Sequence, residues 1–236
     1  DNVSGNAPKV IVDEVEFSPR SISKVSLMLW RDTRNDLVFT TRGSRISVAS
    51  TFAGIGGDTE YMKLEARSAF FLPTFEFGDQ VLSILGRIGS IWEYSDLPTP
   101  FFDRFYLGGP DSLRGFEYRE VGPVSSQLAG DNYTGEPIGG NSFAFASFEY
   151  SIKIADPLRV AIFYDWGFVN RDDFDFNPAS YNDNWGVGIR LLVLGNPLRL
   201  DLGLPMTSKE IKLPDGTPLW TNDKGNQFNF SFGTRF

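Results

Sequence analysis

The side chains that could do chemistry in this sequence are carboxylates and guanidiniums. The run Asp172-Asp173-Phe174-Asp175 has the oxygen density of a Ca²⁺ site but lacks the spaced ligands and closing Glu of a calcium loop. Asp13, Glu14 and Glu16 read equally as acidic decoration of an edge strand or of a loop. A third group centres on Arg114-Gly115-Phe116: a cation, a residue that lets backbones approach closely, then an aromatic anchor. Gly54, Gly56 and Gly57 form a turn rather than a phosphate cradle, because no Lys-Ser/Thr pair or helix follows them. The 236 residues contain no His and no Cys, so no Ser-His-Asp triad, Cys nucleophile, His-ligated metal or zinc thiolate can be built. No metal and no cofactor is expected, and nothing arranges the carboxylates as an Asp/Glu hydrolase. The chemistry is that of ion pairs.

Composition narrows the partners. A net charge of −8 without a basic block argues against nucleic acid, which needs clustered Lys and Arg. No apolar run reaches the roughly 18 residues of a membrane-spanning helix. No signal peptide is present, so an exported protein would be seen in its mature form. Lack of cysteine leaves export undecided. The excess is in aromatics, 15% of the chain with 22 Phe, and in 24 Gly.

The elements that must position these residues are strands. Period-two alternation marks nine segments, 22–33, 44–53, 60–72, 80–93, 141–154, 158–168, 182–194, 197–204 and 226–236, separated by stretches rich in Gly, Pro, Asn and Asp. Most are longer than the five or six residues common in soluble sheets and match the roughly 9–11 of a membrane strand. Their two faces differ sharply. Trp185, Val187, Ile189 and Leu191 oppose Asn184, Gly186, Gly188 and Arg190; Leu158, Val160, Ile162, Tyr164 and Trp166 oppose Arg159, Ala161, Phe163, Asp165 and Gly167. Phe228, Phe230, Phe232 and the terminal Phe236 share one face of the last strand. A soluble sandwich would bury the apolar face. A transmembrane barrel turns it to lipid and lines its interior with the polar one.

Strand length, aromatics near strand ends and the alternating terminal strand favour the barrel. Loop lengths agree, with tight turns at 195–196 and 155–157 alternating with long connections at 205–225, 169–181 and 94–140. The expected fold is therefore an all-β antiparallel transmembrane β-barrel over 22–236, with about nine or ten strands and a long external loop at 94–140. Lys9–Phe17 is either a tenth strand, or residues 1–21 form an external loop.

The long segment 94–140 calls for a functional reason. Phe102, Phe105 and Tyr106, then Gly108-Gly109, then Arg114-Gly115-Phe116 resemble the signature loop of the outer-membrane insertase and translocase superfamily that includes BamA, TamA and the two-partner-secretion transporters. Asp32-Thr33-Arg34 with Thr41-Arg42-Gly43, Ala146 to Tyr150 and Phe163 to Gly167 are similar to the family's strand patterns, and coverage is about 22–236.

The resemblance implies a bacterial outer-membrane barrel whose loop folds back into the interior. It also implies that the loop Arg is received by acidic positions matching Glu149 and Asp165; the bland alternative pairs these carboxylates with Arg159 or Arg190. Phe228, Phe230, Phe232 and Phe236 would form the C-terminal recognition strand, at a seam that Gly203, Pro205 and Gly233 soften. The implied task is non-enzymatic insertion or translocation of other outer-membrane or secreted proteins. Its implied partners are outer-membrane lipid, unfolded β-barrel substrates and assembly-complex proteins. Family barrels have sixteen strands and follow periplasmic POTRA domains, so this chain corresponds to a C-terminal barrel portion. The alternatives are a small passive barrel or pore, or copies of the chain that complete a larger barrel as a homo-oligomer.

Overall fold

The alternating segments fold as strands in the computed structural model, which describes residues 9–16, 18–75, 79–95, 97–125, 135–207, 210–212, 218–220 and 225–235. Strands β1 (Lys24–Asp32), β2 (Gly43–Ala53), β3 (Tyr61–Pro73), β4 (Val81–Glu93), β5 (Ser142–Ala155), β6 (Leu158–Asn170), β7 (Asn182–Val193) and β8 (Asn196–Pro205) follow in order. A short hairpin of β9 (Glu210–Lys212) and β10 (Pro218–Trp220) lies within the long connection expected at 205–225, and β11 (Gln227–Phe232) ends the series. Strands β1 to β8 and β11 make one nine-stranded antiparallel sheet in sequence order. Residues 1–8 and Phe236 lie outside the described residues.

Burial inverts the rule for soluble proteins. On β7, Trp185, Val187 and Ile189 are at least 40% exposed, whereas Asn184 is fully buried and Gly186, Gly188 and Arg190 are buried beside it. On β11, Phe228, Phe230 and Phe232 all point outward and are more than half exposed. A contiguous apolar surface of this size marks contact with lipid or with another apolar partner. The charged inner face is buried because the described part of the β4–β5 connection, 97–125 and 135–141, lies against it. Phe105, Leu107, Leu113, Phe116 and Val121 of that connection join Phe143, Phe145 and Ile91 in the principal apolar cluster.

One of the two alternatives left open for the N-terminal segment is not found. Lys9–Glu16 is an α-helix, not a tenth strand. Val12 and Val15 with Asp13 and Glu16 recur at helical spacing as well as in partial alternation, and eight residues are too few for periodicity to decide. No strand pairs with the free edge of β1 among the described residues, so nothing holds this segment extended. It is tied to the loop end of the sheet instead: Glu14 accepts from Arg20 Nε at 2.9 Å, and Arg20 donates to the Pro98 carbonyl.

Candidate functional site

The tip of the long connection is built to lie flat on the sheet. Gly108 and Gly109 both adopt positive φ, +107° and +93°, a region that costs a side-chain-bearing residue about 1–3 kcal/mol. A Cβ on Gly108 would also run into the Glu117 carbonyl. The turn so formed is closed by Ser112, whose hydroxyl accepts from Gly108 N at 2.8 Å and donates to Gly108 O at 3.0 Å. Gly109 N donates to the Leu113 and Phe116 carbonyls. Arg114 and Gly115 follow, with their backbone directly on the β7–β8 wall. A side chain at Gly203 of β8 would strike the Arg114 carbonyl, and one at Gly115 would strike Asn184. Phe116 is driven into the apolar cluster, a burial that stabilises by about 1.5–3 kcal/mol.

Arg114 is wholly enclosed, with none of its side chain exposed. Its Nε and Nη2 donate to Asp165 Oδ2 and Oδ1, both at 2.8 Å, a bidentate pair in the geometry that suits guanidinium and carboxylate best. Nη1 donates to Glu149 Oε2 at 2.6 Å, and Asp201 Oδ1 stands 3.6 Å away. The guanidinium carbon sits 3.4 Å from the ring centroid of Phe163, within cation–π range. Burial alone would push the Arg114 pKa down, but Asp165, Glu149 and Asp201 outweigh it and hold the group above its ordinary range.

Sheet register explains why these partners meet. Ser147 on β5, Asp165 on β6 and Asn184 on β7 are directly opposite one another across the ladder. Glu149 lies two residues along β5 on the same face. Asp165 also accepts from the Ser147 hydroxyl at 2.6 Å and from Asn184 Nδ2 at 3.2 Å. Glu149 is shared: Arg190 donates to it through Nε at 3.1 Å and Nη2 at 2.8 Å. Glu149 therefore serves both the loop cation and the strand cation Arg190, whereas Arg159 contacts neither Glu149 nor Asp165.

Several participants carried no signal beyond inward parity on neighbouring strands. Asp201 faces Arg190 Nη1 at 2.8 Å. Asn229 of β11, between two outward Phe residues, donates to the Arg114 carbonyl at 2.7 Å. Beyond β11, Gly233 at φ +95° turns the chain so that its amide reaches the Pro197 carbonyl. Arg235 then donates to Ser147 Oγ and to the Ser112 carbonyl, both at 3.0 Å. Burial, and then the neighbouring charge of Arg114, push the Arg235 pKa down to about 10. Phe228, Phe230 and Phe232 stand apart from this cluster, on the outer face opposite Leu202, Leu200 and Leu198. At the acidic run 172–175 the backbone ties the loop to β5 and β6: the Asp172 and Asp175 carbonyls accept from Ser142 Oγ and Asn170 Nδ2, and Asp175 N donates to Ser142 Oγ. No metal-holding group of acidic residues occurs among the described residues.

An antiparallel sheet with lipid-type residues outside, ion pairs inside and a long loop locked on the inner face defines the class: a transmembrane β-barrel domain with an inward-folded Arg-Gly-Phe loop. The sequence matches the Omp85 superfamily domain over residues 4–236, and the chain belongs to that superfamily. It is 28% identical over 254 residues to the outer membrane protein assembly factor BamA of Nitratidesulfovibrio vulgaris, an alignment spanning 100% of this chain and 28% of that protein. It is 35% identical over 114 residues to the human sorting and assembly machinery component 50 homolog, covering 47% of this chain and 24% of that one. Among solved structures, BamA from Haemophilus ducreyi lacking POTRA domains 1–3 superposes with a TM-score of 0.70 at 20% identity, over 89% of this chain and 42% of the other. The chain thus spans about a quarter to two fifths of the length of these relatives.

Proposed function

We propose that this chain is the barrel portion of a bacterial outer-membrane protein that inserts, assembles or translocates other outer-membrane or secreted proteins. The work is non-enzymatic: the sheet perturbs lipid and offers strand edges to incoming chains, while Arg114, Gly115 and Phe116 hold the long loop on the inner face. The observation that carries this reading is the buried bidentate pair of Arg114 with Asp165, shared on to Glu149. Its support is twofold. So many acceptors converging on one loop cation make the loop part of the wall rather than a mobile cover. Relatives aligned to this chain include an outer membrane protein assembly factor.

Reconstitution of the chain in liposomes tests it, with folding of a substrate β-barrel and ion conductance scored together. The expected result is faster substrate folding, lost in Arg114→Ala. Conductance without any acceleration rejects assembly in favour of a passive barrel or pore.

A further inference from the structure

The cations of the inner face nearest the short turns stand in one row. Lys153 on β5 lies opposite Arg159 on β6, Arg159 opposite Arg190 on β7, and Arg190 opposite Arg199 on β8. Like charges directly across a ladder repel, so the row needs compensation. Two members have it. Lys153 pairs with Asp156 at 2.8 Å, and Arg190 with Glu149 and Asp201, each at 2.8 Å.

The other two are less well compensated. Among the described residues Arg159 donates to the Asp79 carbonyl and, at 3.4 Å, to the Ser151 hydroxyl, and to no carboxylate. Arg199 gives Nη2 to Asp111, a carboxylate 69% exposed to solvent, while its Nε and Nη1 are buried without an acceptor among the described residues. Arg235 enters the same region with a buried Nε that also lacks one. In this region the five guanidiniums of Arg114, Arg159, Arg190, Arg199 and Arg235 face three inner-face carboxylates, Asp165 and Asp201 fully buried and Glu149 partly so, with Asp111 reaching Arg199 from solvent. An uncompensated buried charge is expensive.

A cavity of about 80 Å³ opens where the imbalance lies. Arg159, Arg190, Arg199 and Arg235 line it together with Glu149, and Val38 to Thr40 of the β1–β2 connection close one side. One water needs about 10–15 Å³ on this measure, so the space admits a group of several heavy atoms. Both oxygens of Glu149 are engaged by Arg114 and Arg190. Asp201, whose oxygens lack a hydrogen bond among the described residues, stands by Arg190 and Arg114 and does not line the cavity. The N–H donors of Arg199 and Arg235 are thus left to an outside acceptor.

We propose that this cavity is a binding site for a phosphate-type oxyanion, held by Arg199 and Arg235 with Arg159 beside them. Guanidinium groups suit such an anion because they combine permanent charge with several fixed donors. Free phosphate and the phosphate of a lipid headgroup offer the same chemistry. The site is independent of the assembly reading, and a chain without assembly activity would still carry it.

The test uses the full chain folded in uncharged maltoside micelles. Inorganic phosphate is titrated at constant ionic strength against chloride and followed by calorimetry. Saturable binding that chloride does not reproduce is expected, weakened at least tenfold in Arg199→Gln and Arg235→Gln and unchanged in Arg67→Gln, an exposed cation elsewhere on the sheet. A parallel arm replaces phosphate with a short-chain phosphatidate, with short-chain phosphatidylcholine as its control. Binding of phosphate assigns the free anion, and binding of phosphatidate alone assigns the headgroup. If the variants do not fold, the melting temperature of the unaltered chain decides, rising with the bound anion and not with chloride. No specific binding of either phosphate source, or binding undiminished by Arg199→Gln, overturns the proposal.

Discussion

Two of the places where the long connection between β4 and β5 is fastened to the sheet are built on opposite principles. Near its start, Asp103 is the hub: Lys24 of β1 and Tyr61 of β3 reach its carboxylate, at 2.5 and 2.9 Å, and Lys63 reaches its carbonyl at 2.7 Å. The Lys24 side chain remains a third exposed there. Near the turn, Arg114 is sealed from solvent and spreads over Asp165, Glu149 and Ser147 with its guanidinium on Phe163. Similar distances hide unlike energetics. An exposed Lys–carboxylate pair contributes about 0.2–1 kcal/mol and is weakened by salt. Breaking a buried pair costs about 3–5 kcal/mol, because one charge is left without its partner in a poorly solvated place. On these magnitudes the second fastening outweighs the first.

Four substitutions can break or sharpen that contrast. Arg114→Ala leaves Asp165 with only the more distant Arg235 cation at 3.7 Å and takes one of two cations from Glu149, and is expected to destabilise the seated loop by about 3–5 kcal/mol. Limited proteolysis should then cut within 97–125, which stays protected in the unaltered chain. Asp165→Asn keeps shape but replaces the charge opposite Arg114, and a loss of about 1–3 kcal/mol should appear as a lower denaturant midpoint with unchanged slope. Gly203→Val places a side chain where the Arg114 carbonyl lies. The expected cost is about 1–3 kcal/mol, with the β7–β8 wall intact and Phe116 less protected from solvent. Lys24→Ala comes last, at under about 1 kcal/mol, and raising the salt concentration should erase its effect on loop protection while leaving that of Arg114→Ala.

The outer skeleton of this fold was largely legible because alternation is a local property. Segments expected at 182–194 and 197–204 fall at Asn182–Val193 and Asn196–Pro205, and the inward parity assigned to Asp165 and Phe163 matches their burial. Resemblance drew attention to Arg114, Glu149 and Asp165, which the structure brings into contact. What stayed hidden depends on stagger between strands. Parity says that Arg159, Arg190 and Arg199 point inward, but only the register places them in one row.

Short elements were also hidden. Lys9–Glu16 is rich in β-branched residues and turns helical without a neighbouring strand, and the β9–β10 hairpin rests on three residues per strand. Arg235 escaped because Gly233 read as a weak point in a terminal strand. At that position the chain leaves the sheet and carries a cation to Ser147 and the Ser112 carbonyl.

Backbone hydrogen exchange over residues 105–121, compared between the unaltered chain, Arg114→Ala and Lys24→Ala in the same micelles, addresses the contrast most directly. Local opening free energies are read from such rates. A loss of about 3 kcal/mol corresponds to a roughly hundredfold rise in exchange for Arg114→Ala, and under about 1 kcal/mol to less than about sixfold for Lys24→Ala. Equal rises in the two variants, or protection of 105–121 unchanged in Arg114→Ala, would contradict the account that a buried ion pair fixes the loop.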